Sequence, residues 1–182
     1  DASIIIPYNI YTTYGDKQAL ENQYASMKAY LNYVRSVAKN DLWNTGFQFA
    51  DWLSYRVDDS KGMIGQRSAV TDNYLVAQCF YAYNTALMVK TARILGKVEE
   101  YKEYEKLLDR IKSQFQKEFM TANGRLISET QTAYILALQF DMIPGSLRPA
   151  ALERLVTNIE SYKYHLTTGF LGTPFLNPVL TR

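Results

Sequence analysis

Acidic and aromatic residues in three segments of the sequence are the side chains best suited to chemistry. Hydrolysis of a glycosidic bond needs two carboxyl groups, one protonated and one ionised, on either side of the bond that breaks. Aromatic rings help by stacking on the apolar face of a sugar ring. Segments 40–68, 121–130 and 163–174 supply both kinds of residue, namely Asp51, Asp58, Asp59 and Glu129 with Trp43, Phe47, Phe49, Trp52 and Phe170.

Asp51 and Trp52 form the most suggestive pair, because they lie at the centre of GFQFADWLSY (residues 46–55), which has neither a helical nor a strand period. In one interpretation, Asp51 caps a short helix that begins at Trp52, and the indole fills a gap between helices. In the other interpretation, both side chains contact a sugar. The two roles are compatible, because a capping carboxylate can still offer its second oxygen to a ligand.

The other acidic candidates occupy positions where a carboxylate is expected to stabilise a helix start or a turn. Glu129 is expected in the first turn of a helix, where the helix dipole favours a carboxylate. Asp72 is expected at a helix start, and the Asp58-Asp59 pair is typical of a solvated turn.

His165 is the only histidine, and it lies beside a glycine-bearing segment, where it either contacts a ligand or packs at a helix end. A lone histidine without acidic neighbours does not make a metal site. Cys79 is the only cysteine, which excludes an internal disulfide and a cysteine-based zinc site. Cys79 is expected to be a small buried residue, and no metal or cofactor is predicted.

Helical periodicity dominates the rest of the chain and predicts an all-α fold of antiparallel helix pairs. Start signals are Asp16, Thr71-Asp72, Ser128 or Thr130, and Ser146 with Pro149 in the first turn. Gly96 ends the second long helix, and the short connection after it predicts an antiparallel pair. Asn123-Gly124 predicts a turn within a small hairpin, and one more short or incomplete helix is expected near the end.

The three chemistry-bearing segments follow the first, third and fifth predicted helices, so we expect them to gather at one end of the fold. That arrangement favours part of an α/α toroid with a site at one rim. A solenoid or an irregular bundle remains the alternative, although the period of a tetratricopeptide array is absent.

Composition limits the possible partners. The chain has 182 residues, is 47% hydrophobic and carries a net charge of +2, which indicates one domain or a large part of one. No dense Lys/Arg patch is present, so no nucleic acid partner is predicted. No apolar run approaches the roughly 18 residues that a membrane span requires, so no membrane partner is predicted.

Three segments resemble the bacterial α-L-rhamnosidases of glycoside hydrolase family 78. GFQFADWL resembles the Gly-Asp-Trp-Leu loop of that family, SETQTAYILALQFDMIP its Gln-Thr-Ala helix, and HLTTGFLGTPFLNPVL its Thr-Gly-Phe-x-Gly-Thr segment. One departure is Ala50, where the family pattern usually has glycine. The resemblance extends over the whole chain and implies that residues 1–182 are part of an (α/α)6 catalytic domain.

The resemblance further implies inverting hydrolysis of terminal α-L-rhamnose, with a rhamnose-containing glycoside or polysaccharide as partner. It implies that Asp51, Trp52, Phe170 and His165 bind substrate. Asp1-Ala2 resembles the end of the stretch that carries the general acid, and the base of the family follows its Thr-Gly-Phe-x-Gly-Thr segment. Both groups are therefore expected outside this chain, so no catalytic residue is assigned here.

An incomplete barrel is expected to expose apolar helix flanks, which would allow self-association. Two alternatives to this function stay open at this point. One is another α/α-toroid glycosidase or lyase. The other is an α-helical interaction module that binds peptides in tyrosine-rich grooves.

Overall fold

The computed structural model describes residues 1–55 and 69–181, so the predicted turn acids Asp58 and Asp59 lie outside the described residues. Within the described part, regular secondary structure is helical, with two isolated β-bridges besides, which confirms the all-α prediction. A short 3-10 helix, Gly145–Leu147, precedes the sixth of the α-helices. These are α1 (Ala2–Tyr14), α2 (Lys17–Val37), α3 (Asn73–Ile94), α4 (Val98–Glu118), α5 (Gln131–Gln139), α6 (Arg148–Ser161) and α7 (Thr173–Leu180).

The chain divides into two compact units. The first consists of Asp1–Thr45 and Phe80–Gln114, and the second of Gly46–Cys79 and Phe115–Arg182. Because the divisions fall inside α3 and α4, each of these helices contributes residues to both units.

In the first unit, α1 and α2 form an antiparallel pair joined at Gly15, whose φ of 70° suits glycine. The Tyr30 hydroxyl donates to the Asp1 carboxylate at 2.9 Å. Asp16 caps α2 as predicted, because its carboxylate accepts from the Ala19 N–H at 3.1 Å. Apolar residues spaced three and four apart form the buried face of α2, namely Leu20, Tyr24, Met27, Leu31 and Val34.

The turn at Gly96 reverses the chain between α3 and α4, which confirms the predicted antiparallel pair. Arg93 of α3 forms an ion pair with Glu105 of α4, and its guanidinium lies 5.1 Å from the centre of the Tyr101 ring. Glu100 at the start of α4 faces α2, where it pairs with Lys28 and accepts from the Tyr24 hydroxyl. The hydrogen bond with Lys28 is the main reason that the pKa of Glu100 is lowered.

In the second unit, α5 is buried on nearly all sides and packs against both α6 and α7. Thr130 caps α5 as predicted, with its hydroxyl accepting from the Ala133 N–H at 3.2 Å. The α5–α6 pair is antiparallel, because the Asn158 amide donates to the Glu129 carbonyl near the start of α5 and the Arg148 guanidinium donates to the Leu138 carbonyl near its end. This pair carries the segments that form the candidate site.

Three sequence-based expectations about helix starts differ from the structure. Helix α1 was not expected, because Pro7 lies inside it and its apolar residues do not form one stripe: Ile4 is buried and Ile6 exposed. Ser146 does not cap α6, because residues 145–147 form a 3-10 turn that leads directly into the helix. Glu129 precedes the capping residue of α5 and is therefore not in its first turn.

The predicted turn at Asn123-Gly124 and the predicted burial of Cys79 are confirmed. Gly124, with a φ of 79°, forms the predicted turn, although the pairing beside it is a single bridge between Met120 and Leu126. Cys79 is fully buried, and burial raises the pKa of its thiol. No helix in the described part of the chain has the length and apolar character to span a membrane. Among residues 1–55 and 69–181, no group of three or more metal-ligating side chains is found.

Candidate functional site

The Asp51 carboxylate is the centre of a buried hydrogen-bond cluster in the second unit. Asp51 is only 5% exposed. One of its oxygens, Oδ2, accepts from the Thr132 hydroxyl and from the Gly169 N–H, the latter at 2.7 Å. The other oxygen, Oδ1, accepts from the N–H groups of Leu171 at 2.7 Å and Gly172 at 3.3 Å. One carboxylate therefore joins three segments that are far apart in the sequence.

The two glycines of this cluster, Gly169 and Gly172, are required because neither position has space for a side chain. A Cβ atom on Gly169 would lie 2.1 Å from the Trp52 carbonyl oxygen and 2.8 Å from Asp51 Oδ1. A Cβ atom on Gly172 would lie 2.5 Å from the Thr132 hydroxyl oxygen. Neither glycine has a positive φ, so close approach of the backbone, rather than turn geometry, explains both residues.

Gln131, the first residue of α5, holds the preceding part of the same segment. Its fully buried side chain donates to the His165 carbonyl at 3.1 Å and accepts from the Thr167 N–H at 3.2 Å. The Thr167 carbonyl in turn accepts from the Tyr55 N–H at 3.0 Å. Segment 165–172 is thus held at one end directly by Gln131 and at the other by Asp51, which itself accepts from the adjacent residue of α5, Thr132.

Two exposed aromatic rings lie above this cluster. Trp52 is 65% exposed and Phe170 is 59% exposed, and their ring centres are 5.3 Å apart in an edge-to-face arrangement. The Phe170 N–H donates to the Trp52 carbonyl at 3.0 Å. We call this pair the aromatic edge. Because the indole is exposed, Trp52 does not fill a gap between helices.

The structure also excludes the capping role of Asp51. No helix begins at Trp52, and the Asp51 side chain accepts from donors more than 80 positions away in sequence and from none in the residues that follow it. Asp72 does cap a helix, since its carboxylate accepts from the N–H groups of Tyr74 and Leu75 at the start of α3.

A second aromatic pair lies beside a cavity of about 580 Å³ at the start of α3. Phe47 and Phe49 are both highly exposed, with ring centres 4.9 Å apart. The starts of α3 and α5 are joined here, because the Thr71 and Thr130 hydroxyls lie 2.6 Å apart and the Asp72 N–H donates to the Ser128 hydroxyl. The cavity is lined by Gly46, Phe47, Gln48, Val70, Thr71, Asp72, Asn73, Tyr74 and Ser128.

These contacts confirm, for the described residues, that the three chemistry-bearing segments gather. Residues 46–55 contact 169–172 through Asp51, residues 163–172 contact α5 through Gln131, and residue 128 contacts the start of α3. His165 is exposed, with Nδ1 2.9 Å from the Tyr162 carbonyl oxygen. Glu129 lies within 3.9 Å of two arginines, Arg125 and Arg154.

Trp43 is not part of this group, because it belongs to the first unit and packs edge-to-face against Tyr81. Conversely, sequence reasoning singled out no role for Gln131, Thr132, Gly169 or Gly172. Their only signal was membership of the Gln-Thr-Ala and Thr-Gly-Phe-x-Gly-Thr patterns.

Comparison with known proteins identifies relatives along the whole chain. The model of the family described as the bacterial alpha-L-rhamnosidase six-hairpin glycosidase domain matches residues 1–182. An alpha-L-rhamnosidase of Alteromonas sp. (strain LOR) is 40% identical over 99% of this chain and 20% of its own length. One of Streptomyces avermitilis is 35% identical over 100% of this chain and 16% of its own length. The chain thus spans about a fifth of the length of these relatives or less.

Comparison with solved structures also identifies alpha-L-rhamnosidases. The crystal structure of Streptomyces avermitilis alpha-L-rhamnosidase complexed with L-rhamnose superposes with a TM-score of 0.88 at 35% identity, covering 100% of this chain and 16% of that one. The crystal structure of native alpha-L-rhamnosidase from Aspergillus terreus gives a TM-score of 0.86 at 32% identity, covering 100% of this chain and 21% of that one. These matches do not favour a peptide-binding module.

Proposed function

This chain belongs to the bacterial alpha-L-rhamnosidase six-hairpin glycosidase family, and from that premise we propose that it is part of the (α/α)6 catalytic domain of an inverting hydrolase. The reaction is removal of terminal α-L-rhamnose from a rhamnose-containing glycoside or polysaccharide. The observation that carries the proposal is the cluster around Asp51, in which the three segments that resemble this family meet beneath the aromatic edge.

The aromatic edge is the part of the site that binds the sugar in this proposal. An exposed indole held at a fixed angle by a second ring offers a rigid apolar plane, which suits the apolar face of a deoxyhexose such as rhamnose. Phe170, whose ring is inclined at 70° to the indole, borders this surface on one side, and the exposed imidazole of His165 supplies a polar contact to a ring hydroxyl. The resemblance also implied a direct contact between Asp51 and the sugar, and the four hydrogen bonds that the carboxylate already accepts favour an indirect role instead.

Inversion requires two further groups. A carboxylic acid protonates the leaving oxygen as the glycosidic bond breaks, while a carboxylate takes a proton from the water that attacks the opposite face of the sugar. The described candidates already have other partners: Asp51 accepts four hydrogen bonds, Asp72 caps α3, and Glu129 lies near two arginines. The resemblance implies that the acid and the base lie outside these 182 residues, and we keep that placement as part of the proposal.

The test is hydrolysis of an aryl α-L-rhamnoside by the 182-residue chain and by a protein that extends it at both ends. We expect turnover only from the extended protein, with release of β-L-rhamnose as the first product seen by NMR. Turnover by the short chain above background would contradict the placement of the acid and base. Absence of turnover by a folded extended protein would contradict the proposed function.

Self-association through exposed helix flanks stays a prediction. Apolar side chains such as Ile6 of α1 and Val156 of α6 are exposed in the structure. Sedimentation showing a monomer at high concentration would argue against it.

A further inference from the structure

We propose that Asp51 is a positioning residue that acts on the sugar through Trp52 and Phe170 and does not contact the sugar itself. The inference rests on the proposed function for the identity of the ligand, whereas the role of Asp51 in fixing the aromatic edge follows from this structure alone. The acid of the Asp-Trp-Leu segment thereby takes a different role from the sugar contact that its sequence suggested.

The carboxylate of Asp51 already accepts as many hydrogen bonds as its two oxygens can take. Two carboxylate oxygens offer about four acceptor positions. In Asp51 these face four donors from Thr132, Gly169, Leu171 and Gly172. A sugar hydroxyl could approach Asp51 only by displacing one of them, and at 5% exposure there is little surface to approach.

Two of the groups that donate to Asp51 lie on either side of Phe170 in the chain. These are the N–H groups of Gly169 and Leu171, and each binds a different oxygen of Asp51. The N–H of Phe170 itself donates to the carbonyl of Trp52, the residue that follows Asp51. Three consecutive N–H groups are therefore tied to two consecutive residues. The edge-to-face geometry of the two rings depends on this arrangement.

The cluster around Asp51 also requires a side chain with two acceptor oxygens, each of which faces two donors. Every donor is a neutral N–H or O–H group, so no cation among the four contacts balances the buried charge. Hydrogen bonds to a charged group are stronger than neutral ones. An asparagine at position 51 has one acceptor oxygen, and even if its NH₂ group donates to the Thr132 hydroxyl, at least one backbone N–H is left without its acceptor. Replacement of Asp51 therefore disturbs the segment that carries Phe170.

The first test is a double-variant cycle in the extended protein, with kcat/KM measured on an aryl α-L-rhamnoside. We expect Asp51→Asn to lower kcat/KM by roughly 100-fold, because small displacements of positioning groups have effects of that order. If Asp51 acts through Trp52, the Asp51→Asn, Trp52→Ala double variant is within about threefold of the worse single variant. Single effects that multiply would show that Asp51 makes its own contribution and would overturn the proposal.

A second pair of variants covers the case in which Asp51→Asn does not fold. Thr132→Val removes one donor at nearly constant volume, and Thr132→Ser keeps the hydroxyl. We expect Thr132→Val to lower kcat/KM by roughly tenfold, a value within the range for one hydrogen bond to a charged group, and Thr132→Ser to restore most of it. Equal activity of the two variants while both are folded would contradict the positioning role.

Gly169→Ala tests the aromatic edge by a steric clash and leaves the side chains of the hydrogen-bond cluster unchanged. Gly169→Ala places a methyl group 2.1 Å from the Trp52 carbonyl and should separate the two rings. Gly145→Ala is the matched control, because nothing lies within 4 Å of its added Cβ and its φ is not positive.

A spectroscopic readout makes the inference independent of activity. In a Trp43→Phe background of the 182-residue chain, Trp52 is the only tryptophan. We expect Asp51→Asn and Gly169→Ala each to shift its emission to longer wavelength and to increase quenching by acrylamide, with Gly145→Ala unchanged. Unchanged emission in folded Asp51→Asn would refute the positioning role. Changed emission without rhamnoside hydrolysis by the unsubstituted extended protein would instead refute the proposed function.

Discussion

Replacing Ala50 by glycine tests whether the backbone before Asp51 is strained. Ala50 has a φ of 56°, in the left-handed region that residues with a Cβ adopt only at a cost. The family pattern that this segment resembles usually has glycine here. The departure noted in the sequence therefore falls at a position where the backbone conformation explains the usual residue.

The expected gain is a difference between two opposing terms. For a residue with a Cβ atom, the left-handed backbone conformation is about 1–2 kcal/mol higher in free energy than the right-handed conformation. Glycine loses about 0.4–1 kcal/mol more than alanine through the greater freedom of the unfolded chain. We therefore expect Ala50→Gly to raise the free energy of unfolding by roughly 0.5–1 kcal/mol, which corresponds to about 1–4 °C in Tm for a chain of this length.

The assay is urea or thermal unfolding of the 182-residue chain, followed by circular dichroism at constant pH. Ala122→Gly is the matched control, because Ala122 is exposed and does not have a positive φ. We expect this control to lower the free energy of unfolding by up to about 1 kcal/mol. Equal loss of stability in Ala50→Gly and Ala122→Gly would refute the strain argument.

Two further predictions concern a buried amide and an ion pair. Gln131→Leu leaves the His165 carbonyl and the Thr167 N–H without their side-chain partner, so we expect the free energy of unfolding in urea to fall by roughly 2–3 kcal/mol. The control is Gln18→Leu on the exposed face of α2, for which we expect a change of at most about 0.5 kcal/mol. Equal effects of the two substitutions would contradict the role of Gln131. The hydrogen bond with Lys28 lowers the pKa of Glu100 below its ordinary value of 4.5, so the stability that Glu100 contributes is fully present above that value and is lost as pH falls through the lowered pKa. The difference in unfolding free energy between the unsubstituted chain and Glu100→Gln should therefore shrink over that acidic range, and a difference that is constant with pH would contradict the pairing.

Much of the helical framework could be predicted because its signals are local. Asp16 and Thr130 each cap a helix by accepting from the N–H three residues later, and Gly96 ends α3 in a turn within its own neighbourhood. The buried face of α2 follows from a repeat of apolar residues. Helix α1 also ends at a glycine, Gly15, but no side chain caps its start, Pro7 interrupts its sequence and its apolar residues do not share one face.

The acidic candidates show where local reasoning ends. Asp51, Asp72 and Glu129 looked alike as loop or helix-start acids, yet one binds a distant segment, one caps a helix and one lies near two arginines. Their sequence neighbours do not distinguish these roles, because the partners of Asp51 lie 81 to 121 positions away.

The sequence by itself determined the helical class, most helix boundaries and, through three short patterns, the family. Only the tertiary structure decided what Asp51 does. Most of its partners are backbone N–H groups, which every residue except proline carries. The residue types in the sequence therefore do not identify these partners. The glycines at 169 and 172 mark the close approach of two segments without saying which segments meet. Closure of the chain over more than 100 residues brings these donors around one carboxylate and thereby fixes the aromatic edge above it.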